Sequence, residues 1–93
     1  MITAIILINA ELQAIDRLGK ELANIDNVAE VYTVTGDYDF VVIVRCKDYE
    51  RISETVVKNI ARLDGIKRTN TMMAFQCISR YDMESMWSIG LES

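Results

Sequence analysis

Two short clusters hold most of the residues in this sequence whose chemistry reaches beyond packing. Gly36-Asp37-Tyr38-Asp39 sets two carboxylates around one phenol, between two apolar runs. A carboxylate so placed can hold a ligand ammonium through charge-assisted hydrogen bonds. Thr69-Asn70-Thr71 puts two hydroxyls on one face of an extended segment and an amide on the other. Those hydroxyls suit a ligand carboxylate. Each cluster also has a plain structural reading. Gly36 can supply a positive φ and Asp37 a side-chain bond to the turn backbone, with Asp39 solvated and Tyr38 half-exposed. Threonine is ordinary in an edge strand.

Little else points to chemistry. With no histidine, the commonest general base and the commonest nitrogen ligand for metals are absent. No Gly-rich phosphate loop, zinc spacing or nucleophile elbow occurs. Two cysteines without a histidine make no activated nucleophile. The expectation is a protein with no catalytic residues, no metal and no cofactor.

Charge and length narrow the partners. The 93 residues carry a net charge of −4, from 10 basic and 14 acidic side chains. Nucleic-acid binding draws on Lys and Arg neutralising phosphates, and the largest basic cluster here is the pair Lys67 and Arg68. Direct DNA binding is not expected. The N-terminal apolar run is too short for a bilayer and has no basic leader. A cytoplasmic protein with no membrane partner is the expectation. A single domain of this length buries only roughly 60–65% of its unfolded surface, so another subunit would help it.

Periodicity supplies the elements that must position the clusters. Ile2 to Ile8 is β-branched and reads as a strand. Asn9 can cap a helix whose apolar positions are Leu12, Ile15, Leu18, Leu22 and Ile25. Gly19 weakens that helix without ending it. Val28–Thr35 is a second strand and Phe40–Cys46 a third, with the short GDYD between them implying an antiparallel hairpin. Asp48 can cap a second helix with Tyr49, Ile52, Val56, Ile60 and Leu63 on its apolar face, and Gly65 can end it. Ile66 to Ile78 reads as a fourth strand.

The order β-α-β-β-α-β is the ferredoxin-like split βαβ unit: an α+β fold with a four-stranded antiparallel sheet and two helices on one face. Strands one and three are expected at the centre, since AIILI and FVVIV are near-continuous apolar runs. Alternation puts Phe40, Val42 and Val44 on one face and Val41 and Ile43 on the other. It likewise opposes Ala4, Ile6 and Ile8 to Ile5 and Leu7. Two helices cover one face only, so the other would leave a large apolar patch unless a second, two-fold related copy covered it.

Cys46, ending strand three, and Cys77, assigned to strand four, have strand one between them. Second-neighbour strands lie about 9.5 Å apart, too far for a disulfide. Both are expected to be buried small hydrophobes. Residues 80–93 form a C-terminal extension whose apolar content is Met83, Met86, Trp87, Ile89 and Leu91. It is expected to dock on its own or a neighbouring subunit.

Taken together, VAEVYTVTGDYDFVVIVRCKDYERI followed by LDGIKRTNT resembles the effector-binding domain of the Lrp/AsnC transcription regulators, the RAM (regulation of amino-acid metabolism) domain. The resemblance covers residues 1–79. With strand one starting at residue two, it is to a stand-alone RAM protein without the helix-turn-helix domain. It implies dimers formed through facing sheets, in the manner of dimeric α+β barrels, and an octamer-like ring of such dimers. It also implies a small amino acid bound between dimers, in contact with Gly36, Asp37, Tyr38 and Asp39 from the turn and with Thr69 and Thr71 from strand four. Transcription would then be modulated through co-assembly with a DNA-binding Lrp/AsnC relative. Two competing readings share the strand order: a small dimeric α+β barrel enzyme of the monooxygenase or isomerase kind, and a purely structural assembly partner. The enzyme requires a polar cavity under the helices; the structural partner requires a filled turn interface.

Overall fold

The computed structural model describes residues 1–80. Six main elements follow one another: β1 (Ile2–Ala10), α1 (Ile15–Ala23), β2 (Val28–Thr33), β3 (Phe40–Cys46), α2 (Tyr49–Glu54) and β4 (Ile66–Met73). A 3-10 turn, Leu12–Ala14, leads into α1, and a π-helical turn, Thr55–Ile60, continues α2. The sheet runs β2-β3-β1-β4 with every neighbouring pair antiparallel. This is the ferredoxin-like α+β arrangement expected from the element order, with the two most apolar strands at its centre.

The pleat of the central strands divides the molecule. Ile6 pairs with Val42 and Ile8 with Phe40, and all four side chains are fully buried beneath the helices. Leu18 and Leu22 of α1 and Ile52, Val56 and Ile60 from α2 and its π turn close the same core. Their neighbours Ile5, Leu7, Val41 and Ile43 point to the opposite face and are half-buried. No described helix lies on that side. Full burial of one Leu or Ile is worth about 1.5–3 kcal/mol, so the helix-side core dominates the stability of the subunit.

Several local expectations are corrected by the structure. Asn9 does not cap α1. β1 continues through it to Ala10, and the helix entry makes no side-chain cap bond. The reason is the partner waiting for Ala10, described below. Leu12 consequently precedes the regular helix and is exposed, as is Tyr49 at the first position of α2. Cys46 is buried as expected. Cys77 is not: β4 ends at Met73, and Cys77 lies beyond it, exposed, with both thiols free. The expected docking of the C-terminal extension falls, from residue 81 onward, outside the described residues.

Other local signals hold. The Asp48 carboxylate accepts from the Arg51 backbone N–H at 2.8 Å and caps α2. α1 runs through Gly19 unbroken. A methyl group at Gly19 would meet Phe40 Cε1 at 3.7 Å, an ordinary contact. Gly19→Ala is therefore expected to raise unfolding stability by about 0.5–1 kcal/mol, measured by chemical denaturation. The π turn has a local cause. Thr55, buried, donates its hydroxyl to the Arg51 carbonyl at 2.8 Å and competes with the regular ladder. The Ala61 N–H then reaches back five residues to the Val56 carbonyl, at 2.9 Å.

Candidate functional site

The β2–β3 turn is held by more than its own residues. Gly36 sits at φ 106°, which glycine adopts without strain. The Asp39 N–H donates to the Ile8 carbonyl at 2.8 Å, and the Ala10 N–H donates to Asp39 Oδ2 at 2.8 Å. Asn9 Nδ2 donates to the Asp37 carbonyl at 2.7 Å. Three hydrogen bonds thus pin the turn onto the last residues of β1, where the β1–β4 register shifts between Asn9 and Ala10. That bulge leaves Ala10 needing an acceptor, and Asp39 supplies it.

Asp39 therefore has a structural task as well as a place in the candidate site. Asp39→Ala would leave a part-buried N–H without a partner, at a cost of about 1–3 kcal/mol. Asp39→Asn keeps an acceptor and is expected to lose less. The two unfolding curves, compared with the parent protein, check this order.

With the turn so anchored, Tyr38 reaches across the end of β1 to β4, where Asn70 Nδ2 lies 3.4 Å from its hydroxyl. Asn70 pairs with Leu7, so its side chain lies on the face away from the helices. Arg68 pairs with Asn9 on that same face and makes no ion pair with a described residue. The Asp37 carboxylate takes part in no side-chain hydrogen bond among the described residues, although its carbonyl is bonded. The result is a polar corner in which Tyr38 meets Asn70, Asn9 bonds the Asp37 carbonyl, and Arg68 stands opposite Asn9 on β4.

Thr69 and Thr71 lie on the other side of β4, in register with the buried Ile8 and Ile6. Thr69 stands level with the turn. Thr71, one pleat further along, borders an apolar groove against α2. Within one subunit, then, the turn meets Asn70 rather than the two threonines. Asn9, Arg68 and Asn70 went unnoticed as members of the corner because their proximity depends on strand register and on the bulge. Alternation places Asn70 on the opposite face from its threonine neighbours, as the structure does, but carries no sign that this face meets the turn.

The face bearing this corner has an apolar centre. Ile5, Leu7, Val41 and Ile43 form it, with Met72 and Tyr32 at its sides, 43% and 49% exposed. Its rim is charged. Arg45 Nη1 lies 3.7 Å from Glu30, whose other oxygen accepts the Tyr32 hydroxyl. That hydrogen bond, reinforced by the carboxylate's charge, holds the Tyr32 phenol above the usual tyrosine range. Among the described residues no group of three or more His, Cys, Asp or Glu could hold a metal, and no helix is long and apolar enough to cross a membrane.

Comparison with known proteins gives a consistent answer. The family described as the Lrp/AsnC ligand binding domain matches residues 3–83. An HTH-type transcriptional regulator of Pyrococcus furiosus is 35% identical over 77 residues, which are 83% of this chain and 51% of that protein. The chain spans about half the length of the curated relatives it matches. Among solved structures, TTHA0845 from Thermus thermophilus is 44% identical with a TM-score of 0.81, over 86% of this chain and all (100%) of that one. AsnC of E. coli is 25% identical with a TM-score of 0.78, over 85% of this chain and 54% of that one. On fold, strand order and family match alike, the chain belongs to the Lrp/AsnC ligand-binding domain family.

Proposed function

We propose that this domain is an oligomeric sensor of a small amino acid and is not itself an enzyme. The observation that carries the proposal is the pinned turn: bonds from β1 hold it, Tyr38 meets Asn70, and Arg68 is in register with Asn9, which bonds the Asp37 carbonyl, while the Asp37 carboxylate is bonded to no described side chain. An α-amino acid is a zwitterion. Asp37 would receive its ammonium and Arg68 its carboxylate, each by charge-assisted hydrogen bonds. The hydroxyl of Thr69, at the level of the turn but across the β4 edge, would reach the ligand of an adjoining dimer. Gly36 and Asp39 would shape the site through the backbone, and Thr71 would border it.

The apolar face of the sheet is the proposed dimer interface. Two copies meeting through Ile5, Leu7, Val41 and Ile43 would remove from water a patch that monomers rarely expose. Dimers would assemble further into a ring, with the polar corners near the junctions. The −4 charge disfavours direct DNA contact. Regulation would therefore pass through a DNA-binding relative sharing the same sheet interface. The buried side chains between sheet and helices are apolar apart from Thr55, with Phe40 and Cys46 among them, which supports a binding role over an α+β barrel enzyme.

Thermal shift against the twenty amino acids tests the sensor reading. At least one small amino acid is expected to raise the melting temperature, by linkage to the folded state. Asp37→Asn, an exposed change, is expected to abolish that shift while leaving the ligand-free melting temperature unaltered.

A further inference from the structure

We propose that the segment Met83–Leu91 of this chain docks into the apolar groove between α2 and β4 of the same subunit. The groove, about 270 Å³, is bounded by Tyr49, Ile52, Val56 and Val57 on the helix side and by Thr71 and Met73 on the strand side. Tyr49 and Val57 are 66% and 59% exposed, so the helix presents apolar surface with nothing described upon it. This surface lies on the helix side of β4, away from the open sheet face. A dimer formed through that face would leave it uncovered.

Connectivity selects the occupant. β4 ends at Met73, which itself borders the groove. Residues 74–82 can span at most about 30 Å when extended, enough to return the chain to the groove. Met83, Met86, Trp87 and Leu91 recur at helical spacing, and Ile89 adds to the apolar content. As a helix this segment would be about 12–14 Å long. The stretch of α2 and its π turn from Tyr49 to Val57 is similar in length, about 12 Å. The family match stops at residue 83, so most of the segment lies outside the matched domain.

The attraction would be apolar. The tail carries Asp82, Glu84 and Glu92, while the surface beside Val57 carries Glu50, Glu54 and Lys58, both signs together.

Trp87 is the single tryptophan of the chain and reports directly on the segment. In the full-length protein its fluorescence is expected to be blue-shifted from that of the denatured chain and shielded from acrylamide. Val57→Glu and Tyr49→Glu change exposed side chains, and far-UV circular dichroism verifies that both variants are folded. Each is expected to shift the emission to the red and restore quenching. An emission unmoved by both folded variants would overturn the proposal. So would an emission shifted by Ile43→Asp but not by Val57→Glu, since the segment would then lie on the open sheet face. Mixing Val57→Glu subunits with Trp87→Phe subunits, under conditions of subunit exchange, tests docking within one subunit. No recovery of the blue-shifted emission is expected; recovery would show docking on a neighbour and would contradict the proposal.

Discussion

Gly65→Ala is expected to destabilise the folded domain by about 2–5 kcal/mol, although it adds one methyl group. Gly65 has φ 96°, where an L side chain is strained. A Cβ there would also lie 2.6 Å from Ala14 Cβ and 3.4 Å from Leu18 Cδ1. Neither neighbour can yield easily, since Ala14 and Leu18 are buried in the core. The surroundings are fixed from both sides. The Glu11 N–H donates to the Gly65 carbonyl at 2.8 Å, and Arg17 Nη2 donates to the Asp64 carbonyl at 2.7 Å. A shift of the turn would break those bonds as it relieved the clash. For a domain of this size the melting temperature should fall by roughly 10 °C or more. Gly36→Ala is the matched comparison. Its φ is 106°, yet nothing stands within 4 Å of the added Cβ. Only the conformational cost remains, about 1 kcal/mol. Equal losses in the two variants would refute the crowding account of Gly65.

Ile43→Asp is expected to dissociate the proposed dimer and to leave the subunit folded. Ile43 pairs with Ile5 at the centre of the open face and is only half-buried in one subunit. The helix-side core does not involve it. A carboxylate there is solvated in a monomer but buried without a partner in a sheet-to-sheet dimer. An uncompensated buried charge costs about 3–5 kcal/mol. Two-fold symmetry introduces two such charges, so the dissociation constant should rise by roughly four decades or more. Sedimentation velocity at micromolar concentration should show the parent protein as an oligomer and the variant as a monomer, with unchanged far-UV circular dichroism. A parent protein that sediments as a monomer would contradict the interface outright.

The fold was legible because its strongest signals are local and periodic. Alternation sorted Phe40, Val42 and Val44 from Val41 and Ile43, and the helical repeat found Leu18, Leu22, Ile52, Val56 and Ile60. Glycines and caps marked the ends, with Gly65 and Asp48 where expected. The pattern misled at the end of the fourth strand, expected to reach Ile78 but ending at Met73, and at two helix positions. Leu12 fits the helical repeat but falls in a 3-10 turn, because Ala10 stays in the sheet to donate to Asp39. Tyr49 also fits, yet lies at the rim of a groove rather than in the core.

The candidate site was legible in part, for the same reason. Composition singled out the turn and the Thr-Asn-Thr segment, but not which members meet. That depends on register between β1 and β4 and on a one-residue bulge, neither of which leaves a local mark in the sequence. Asn70 and Arg68 emerge only once Leu7 and Asn9 are known to be their partners. The second task of Asp39, holding the Ala10 N–H, is likewise a product of the bulge.

Calorimetric titration of the assembled protein with each of the twenty amino acids, repeated on Asp37→Asn, tests the central claim most directly. Saturable binding of at least one small amino acid is predicted for the parent protein, with a loss of at least about tenfold in affinity for the variant, as expected on removing a charge-assisted hydrogen bond of about 1.5–3 kcal/mol. No heat of binding from any of the twenty, or equal affinity in parent and variant, would contradict it.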